Sequence, residues 1–290
     1  MHCIKKSLFI VLCFTFTLQF GNAQSFGIRA GLNYNKFSGP VENASESFSL
    51  TNGFHFGVNY TYRFLDRVGL NFEIIYQQIG TKYNYNGSSF YKVPLGQAFF
   101  YEKGNVDINM KVSNAYISLP IMVQWKPSRK FEFNAGFYAA FLVGPRGAGT
   151  LRFVSYDDPD GLYFRNSLVH NYYSDKAKAS ASGIAGPQVF VADGKIATIT
   201  KDAGAYYDYR ENELNGVLYN RVDFGLAGSI NFFINKGFYC GLRYEYGLTD
   251  VTNNRVDHLR SAFDETRKKF IFSDDFDRNV GFQVSFGFRF

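Results

Sequence analysis

Large apolar side chains alternate with small or polar ones in eight stretches of this 290-residue chain. The stretches cover residues 26–34, 54–64, 70–76, 115–125, 131–143, 222–232, 238–248 and 280–290. Strict alternation is the pattern of a β-strand whose two faces meet different surroundings. In every stretch one face is uncharged and, apart from Gly228, apolar or aromatic. The pattern therefore predicts an all-β protein built on eight strands.

The opposite face of the same stretches carries amide and charged side chains together with many glycines. Its ionised members are Arg29, Arg63, Glu73, Glu132, Asp223, Arg243, Glu245 and Arg289. A soluble barrel or sandwich would turn the aromatic face inward, but an eight-stranded barrel has room for few such rings. A Lys or Arg facing lipid at mid-depth costs about 2–4 kcal/mol, so an uncharged face suits lipid. We therefore predict an eight-stranded antiparallel transmembrane β-barrel with a charged lumen.

The connections between the stretches alternate in length, as they do in outer-membrane barrels. Short turns are predicted at 65–68, 126–130 and 233–236, and long extracellular loops at 35–52, 77–111, 144–221 and 249–279. This arrangement places both termini in the periplasm. The 78 residues of 144–221 are too many for a plain connection. Within them Asp193-Gly194 separates two β-rich segments and predicts a hairpin.

The first 23 residues have the pattern of a secretory signal peptide. Lys5 and Lys6 precede an apolar run from Leu8 to Phe20, and small residues follow, so we predict cleavage between Ala23 and Gln24. Loss of the two lysines lowers the formal charge from +6 to +4, which is too small to indicate binding to nucleic acid. Cys240 is then the only cysteine, so an intramolecular disulfide is excluded.

The C-terminal sequence VGFQVSFGFRF predicts the strand that closes the barrel against the first one. Its aromatic residues Phe282, Phe286, Phe288 and Phe290 form a pattern similar to the C-terminal signal that the outer-membrane assembly machinery recognises. We therefore expect two kinds of partner for the folded barrel: outer-membrane lipid, and the barrel-assembly machinery during biogenesis.

Five segments resemble the PorT-like outer-membrane β-barrel family, a Gram-negative group also described as porin-family. They are SFGIRAGLNYNKFSG (25–39), LNFEIIYQQIGTK (70–82), AYISLPIMVQWKP (115–127), GLRYEYGLTDV (241–251) and the terminal FGFRF. The resemblance implies a location in the cell outer membrane. Because the family includes an accessory protein of a protein-secretion system, it also implies a secretion or envelope complex as a partner. The stretch 144–221 has no counterpart that we recognise in the family.

Opposite charges inside a narrow barrel are expected to pair, because unpaired buried charge is costly. The predicted lumen network consists of Arg29, Arg63, Glu73, Glu132, Arg243, Glu245 and Arg289, with Arg243 and Glu245 higher than the others. We predict that it plugs the barrel. An ion-selective constriction is the alternative, although eight strands leave little room for a pore.

Pro120 lies in the middle of the fourth predicted strand. Proline has no N–H to donate to a ladder and is confined mostly to strand edges and bulges. We therefore predict a β-bulge at this position.

Nothing in the sequence indicates a catalytic, metal-binding or cofactor-binding residue. His55, His170 and His258 lack the spacing of metal ligands, and no nucleophile motif is present. The acidic run 274–277 lacks the pattern of a calcium loop. The hypothesis is a non-enzymatic barrel that acts in surface binding, or as an envelope or secretion accessory, through its loops or a complex. A small-solute porin and an outer-membrane lipid-modifying enzyme are the alternatives.

Overall fold

The computed structural model describes residues 24–40, 46–95, 98–157, 162–169, 188–192, 195–199, 202–203, 206–207, 216–253, 262–264, 266–267, 269–271 and 276–290. The predicted signal peptide, 1–23, lies outside these ranges. In the described part of the chain no helix is long and apolar enough to cross a membrane.

The described residues form twenty strands. They are β1 (Gln24–Ser38), β2 (Glu46–Ser49), β3 (Thr51–Arg63), β4 (Val68–Ile79), β5 (Lys82–Leu95), β6 (Ala98–Val112), β7 (Asn114–Trp125), β8 (Phe131–Gly144), β9 (Gly147–Ser155), β10 (Tyr163–Val169), β11 (Gln188–Ala192), β12 (Lys195–Ile199), β13 (Asp202–Ala203), β14 (Tyr206–Tyr207), β15 (Gly216–Val217), β16 (Val222–Phe233), β17 (Phe238–Gly247), β18 (Ala262–Asp264), β19 (Lys269–Ile271) and β20 (Arg278–Arg289).

Eight of these strands close into an antiparallel barrel in the order β1-β20-β17-β16-β8-β7-β4-β3. Each predicted stretch forms one barrel strand, so the predicted fold class is confirmed. The last strand closes the barrel against the first, with Phe288 opposite Ile28 and Phe282 opposite Tyr34. The N–H of Phe290 donates to the carbonyl of Phe26 at 2.7 Å. Closure pairs the backbone groups that an open sheet edge would expose to lipid.

The two faces of the barrel strands differ as the alternation predicted. Phe137 is 67% exposed on the outer face, whereas Gln77 and Gln283 are fully buried on the inner face. Glycine makes room inside the barrel at one crowded position: a side-chain carbon at Gly31 would lie 2.8 Å from Cε1 of His55. The outer face is therefore an apolar belt, and the inner face is a packed polar core.

The barrel has two unlike ends. The turn end carries the short connections that follow β3, β7 and β16, together with Gln24 and Phe290. At the opposite end, which we call the sheet end, three pairs of strands continue out of the barrel: β4 into β5, β6 into β7 and β8 into β9. At the usual rise per residue, the 14 residues of β5 extend about 45 Å.

The projecting strands belong to a second sheet of order β13-β10-β9-β6-β5-β2. The pairing of β4 with β7 continues into that of β5 with β6 without a register shift, from Ile79 opposite Asn114 to Lys82 opposite Lys111. Two predicted loops, 77–111 and the first part of 144–221, are therefore largely sheet, and their description as loops is wrong. The hairpin predicted within 144–221 is confirmed, because β11 pairs antiparallel with β12.

The bulge lies elsewhere than predicted. Pro120 pairs with Tyr138, and the register of β7 continues unchanged past it on both sides. The register shifts instead at Ala115 and Tyr116, which pair with Gly144 and Leu142 and leave Val143 as the extra residue. A bulge increases strand twist, and this one lies where β8 leaves the barrel to become β9. The prediction of a bulge at Pro120 is therefore wrong. The pairing of β7 with β4 is interrupted locally at this proline and resumes in the same register.

Candidate functional site

Glu73 is the centre of the polar network inside the barrel. Nη2 of Arg243 lies 2.7 Å from each carboxylate oxygen of Glu73, and Nη1 of Arg29 lies 3.2 Å from Oε2. Asn71 donates to the other oxygen at 2.6 Å. All four side chains are buried. Burial makes an isolated charge costly, but two guanidinium groups at this distance stabilise the charged form of the carboxylate.

The network crosses the lumen from β4 to β20. Nη1 of Arg243 lies 3.6 Å from Oε1 of Glu245, and Gln77 donates to the other oxygen of Glu245 at 3.3 Å. Gln283 in turn donates to Gln77 at 2.7 Å, and Arg29 donates to Gln283 at 3.3 Å. Two arginines and two glutamates thus balance each other's charge in one closed layer.

A second layer lies at the turn end. Arg289 forms a two-pronged ion pair with Glu132, with Nη2 2.9 Å from Oε1. The guanidinium also lies over the rings of Phe233 and Tyr239, 5.3 and 5.7 Å from their centroids. Lys126, in the turn after β7, lies 3.9 Å above Phe233, and its partial burial lowers the pKa of its ammonium group. These aromatic and charged groups close the lumen at the turn end.

A third polar cluster surrounds Asp223 near the sheet end. Tyr138 and Asn279 donate to Oδ2 of Asp223 at 3.2 and 2.9 Å, and Thr249 donates to Oδ1 at 2.8 Å. His55 lies apart from this cluster, with Nδ1 2.6 Å from the side-chain oxygen of Asn33. The three side chains that donate to Asp223 are neutral, so its carboxylate is held by hydrogen bonds and not by an ion pair.

An apolar cluster lies beside the polar layers on the inner face. It consists of Ile79, Tyr116, Met122, Tyr138, Ala140 and Ala227. The inner-face residues predicted from the sequence were the charged and amide ones, so these apolar residues were not among them. The signal was present, since Tyr116, Met122 and Tyr138 occupy inward positions of the same alternation.

The inner face of the second sheet builds a separate core at the sheet end, which we call the cap core. Its buried residues are Phe37, Tyr83, Tyr85, Val106, Ile108, Met110, Val112, Leu151, Phe153, Leu162, Phe164, Leu168, Leu218, Tyr219 and Val251. Leu142 packs against both the cap core and the apolar cluster in the barrel. The cap core is therefore continuous with the packed interior below it.

The lumen is closed to water at every described level. A water-filled channel would leave its lining side chains exposed, yet Asp223 is 1% exposed at the sheet end, Gln77 0% in the middle and Glu132 0% at the turn end. Eight strands enclose only enough space for side chains, and here they fill it.

The structure brings six of the seven predicted network residues into ion pairs. Arg29, Glu73, Arg243 and Glu245 share one layer, and Glu132 pairs with Arg289. Arg63 is half-buried and forms no ion pair with the described residues. Arg243 was predicted above Glu73, but it contacts that carboxylate directly. Barrel strands are staggered, which shifts β17 relative to β4, so the predicted heights are wrong.

The other candidate residues have separate surroundings. Cys240 is half-buried on the outer face, opposite Phe286. His170, His258 and the first two residues of the acidic run 274–277 lie outside the described residues. Within the described ranges, no three His, Cys, Asp or Glu side chains are grouped so as to hold a metal ion.

A closed barrel with a charged, packed interior and an uncharged aromatic exterior defines an integral membrane β-barrel. Residues 22–253 match the model of the family described as "Outer membrane protein beta-barrel domain". The chain belongs to this family, whose members are proteins of the Gram-negative outer membrane.

Among solved structures the chain is similar to three distant barrels. Ail, the attachment invasion locus protein of Yersinia pestis, is 12% identical with a TM-score of 0.36, over 93% of this chain and 100% of that one. Neisserial surface protein A is 10% identical with a TM-score of 0.32, over 91% and 97%. The outer membrane protease OmpT of Escherichia coli is 11% identical with a TM-score of 0.32, over 95% and 99%. No curated protein matches the chain.

Proposed function

We propose that the protein is a non-enzymatic component of the outer-membrane surface that acts through its second sheet, either as a binding protein or as an accessory of an envelope or secretion complex. The second sheet lies outside the cell, and the turn end with both termini lies in the periplasm. One observation carries the proposal: the barrel interior is filled and sealed, whereas the sheet that projects from it carries exposed polar side chains such as Arg152 and Arg165.

The filled lumen argues against a small-solute porin. Conduction requires a continuous path of water, and the Arg29–Glu73–Arg243 layer crosses the barrel with side chains that are 6% exposed or less. Opening this layer would also separate buried ion pairs, which is strongly unfavourable.

The surroundings of the described histidine argue against an enzyme of the nucleophile–histidine type. Such an enzyme needs a hydroxyl or thiol within hydrogen-bond reach of the base. Nδ1 of His55 is bonded to Asn33 instead, and the ring lies buried in the barrel, where a lipid or protein substrate has no access. The second sheet is better suited to contact with a partner.

The PorT-like resemblance favours the accessory form of the proposal over an isolated binding protein. Its segments lie in the barrel strands, which implies a shared scaffold and leaves the second sheet as the distinctive part of this chain. A complex partner would therefore be recognised by the outward face of β6, β9 and β10, where Asn105, Arg152, Tyr163 and Arg165 are accessible.

Site-specific photo-crosslinking in native outer membranes tests the proposal. A photoreactive amino acid is placed at Asn105, Tyr163 or Arg165 on the sheet, and at Arg67, Arg129 or Lys236 at the turn end as matched exposed controls. We expect a discrete crosslinked protein from the sheet positions, identified by mass spectrometry. Crosslinks from the turn end alone would place the working surface in the periplasm and contradict the proposal.

Orientation is tested separately by labelling intact cells with a membrane-impermeant maleimide. Cys240 is first changed to Ala, and single cysteines are then introduced as Asn86→Cys on β5 and Lys236→Cys at the turn end. Labelling at residue 86 but not at residue 236 is expected. The reverse result would show that the sheet faces the periplasm.

A further inference from the structure

The outward face of the second sheet carries two lysines directly opposite each other. Lys82 of β5 pairs with Lys111 of β6, and both side chains are exposed. Directly opposed residues of an antiparallel pair have Cβ atoms about 5 Å apart, and like charges in this position are destabilising. The repulsion between the two lysines therefore destabilises an isolated sheet, whereas a bound anion would offset it.

A third cation extends the pair along the same edge of the barrel. Lys111 faces Ala148 on its other side, and the exposed Arg146 lies two residues before Ala148. Diagonal neighbours across a sheet are about 7–8 Å apart, so Lys82, Lys111 and Arg146 form one cluster, which we call the rim cations. Three flexible basic side chains at this spacing can surround one or two phosphate groups.

Among the residues that the structure describes, no carboxylate forms an ion pair with the rim cations. Nζ of Lys111 lies 3.4 Å from the side-chain oxygen of Asn52, which is neutral. The next residues outward on the same face are Asn84, Asn109 and Thr150, and all three are uncharged. Asp107 is four residues from Lys111, about 13 Å along the strand, and it is directly opposite Arg152. The described residues around the rim cations therefore leave the cluster positively charged.

The height of the cluster suits an anion at the membrane surface. Val143 is the last exposed apolar residue of β8, and Arg146 follows three residues later, about 10 Å along the strand. Below the cluster lies the apolar belt, with Ile121 and Val123 on β7 and Tyr76 at its upper border on β4. The rim cations thus lie at the depth of lipid headgroups, to which basic side chains at a membrane surface are attracted.

We propose that the rim cations bind the phosphate groups of a phosphorylated glycolipid in the outer leaflet. The leaflet follows from the orientation proposed above, but the binding itself does not depend on it. The lipid would hold the sheet at a fixed height and angle over the membrane.

Binding is measured on the folded protein in mild detergent, by native mass spectrometry with rough-type lipopolysaccharide and with the same lipid after dephosphorylation. The test variant is Lys82→Gln/Lys111→Gln/Arg146→Gln. The control, Lys103→Gln/Arg165→Gln/Arg267→Gln, removes the same charge from other exposed extracellular positions. We expect the test variant to lose about tenfold or more in affinity for the phosphorylated lipid, and the control to stay within about twofold.

The outcomes separate the proposal from its rivals. Equal binding by wild type and test variant, or equal loss in test and control variants, would overturn it. If a water-soluble glucosamine phosphate bound as tightly and with the same dependence on the rim cations, the ligand would be a soluble sugar phosphate and the lipid assignment would be wrong. Should the triple variant not fold, the single variant Lys111→Gln is expected to lose about fivefold. Maleimide labelling that contradicted the orientation would leave this binding result intact.

Discussion

Arg243 and Glu73 are 170 residues apart in the sequence, yet one guanidinium nitrogen of Arg243 lies 2.7 Å from both carboxylate oxygens of Glu73 inside the barrel. The contact joins β17 to β4 across the lumen, between strands that are not neighbours in the barrel. It holds opposite walls together at a point where no backbone hydrogen bond can do so.

Replacing Glu73 with Gln should destabilise the barrel by about 3–5 kcal/mol, because Glu245 alone would remain to balance the buried charges of Arg29 and Arg243. The free energy of unfolding is measured by urea titration in lipid vesicles. Asp66→Asn, which removes an exposed carboxylate from the turn after β3, should change it by about 0.5 kcal/mol or less. Equal stability of Glu73→Gln and wild type would show that the network does not stabilise the fold.

The wild-type protein should show no stable openings in planar lipid bilayers, because its lumen is filled. A second variant, in which a short turn replaces residues 83–110, removes most of β5 and β6 and disrupts the cap core. It should stay closed as well, because the Glu73 layer lies below the removed part. Stable openings in the variant alone would assign the seal to the cap core, and openings in wild type would favour the porin.

Arginine at Ile121, midway along the outer face of β7, should cost about 2–4 kcal/mol in a bilayer, whereas arginine at Trp125 near the turn end should cost about 0–1 kcal/mol. The difference arises because the side chain of residue 125 can reach water. The measurement is again urea unfolding in vesicles. Similar losses at both positions would mean that the belt is not centred on Ile121.

Changing Phe290 to Ser should lower the amount of assembled barrel in cells severalfold, with little change in the free energy of unfolding. The Phe290 side chain is 73% exposed, and its backbone bond to Phe26 survives the change. Phe64→Ser, which alters an exposed ring at the same end, is the control for lost lipid contact. Heat-modifiable gel mobility quantifies folded protein. Equal yields from both variants would argue against a C-terminal assembly signal.

The barrel was predictable from sequence because one simple rule governs it. Each strand separates lipid from a packed lumen, so a period of two appears at every strand from Phe26 to Phe290. The presence of the charged residues in the lumen followed from the same rule. Their pairing did not, because the stagger that brings Arg243 to Glu73 depends on the register of all the intervening strands.

The second sheet was missed for a different reason. Val106, Ile108, Met110 and Val112 alternate as clearly as any barrel strand, but they fall in a connection that the barrel pattern treats as a loop. A prediction that counts only membrane-spanning strands does not include the strands that continue beyond the membrane. The position of the bulge was missed because it depends on a pairing mismatch at Val143, whereas the sequence drew attention to Pro120.

The cap core and the lumen network together fill the interior, and the outward face of the second sheet belongs to neither. Residues such as Asn86, Asn105 and Arg165 can be exchanged without opening a cavity or unpairing a buried charge. This surface can therefore change in sequence while the scaffold that displays it stays constant.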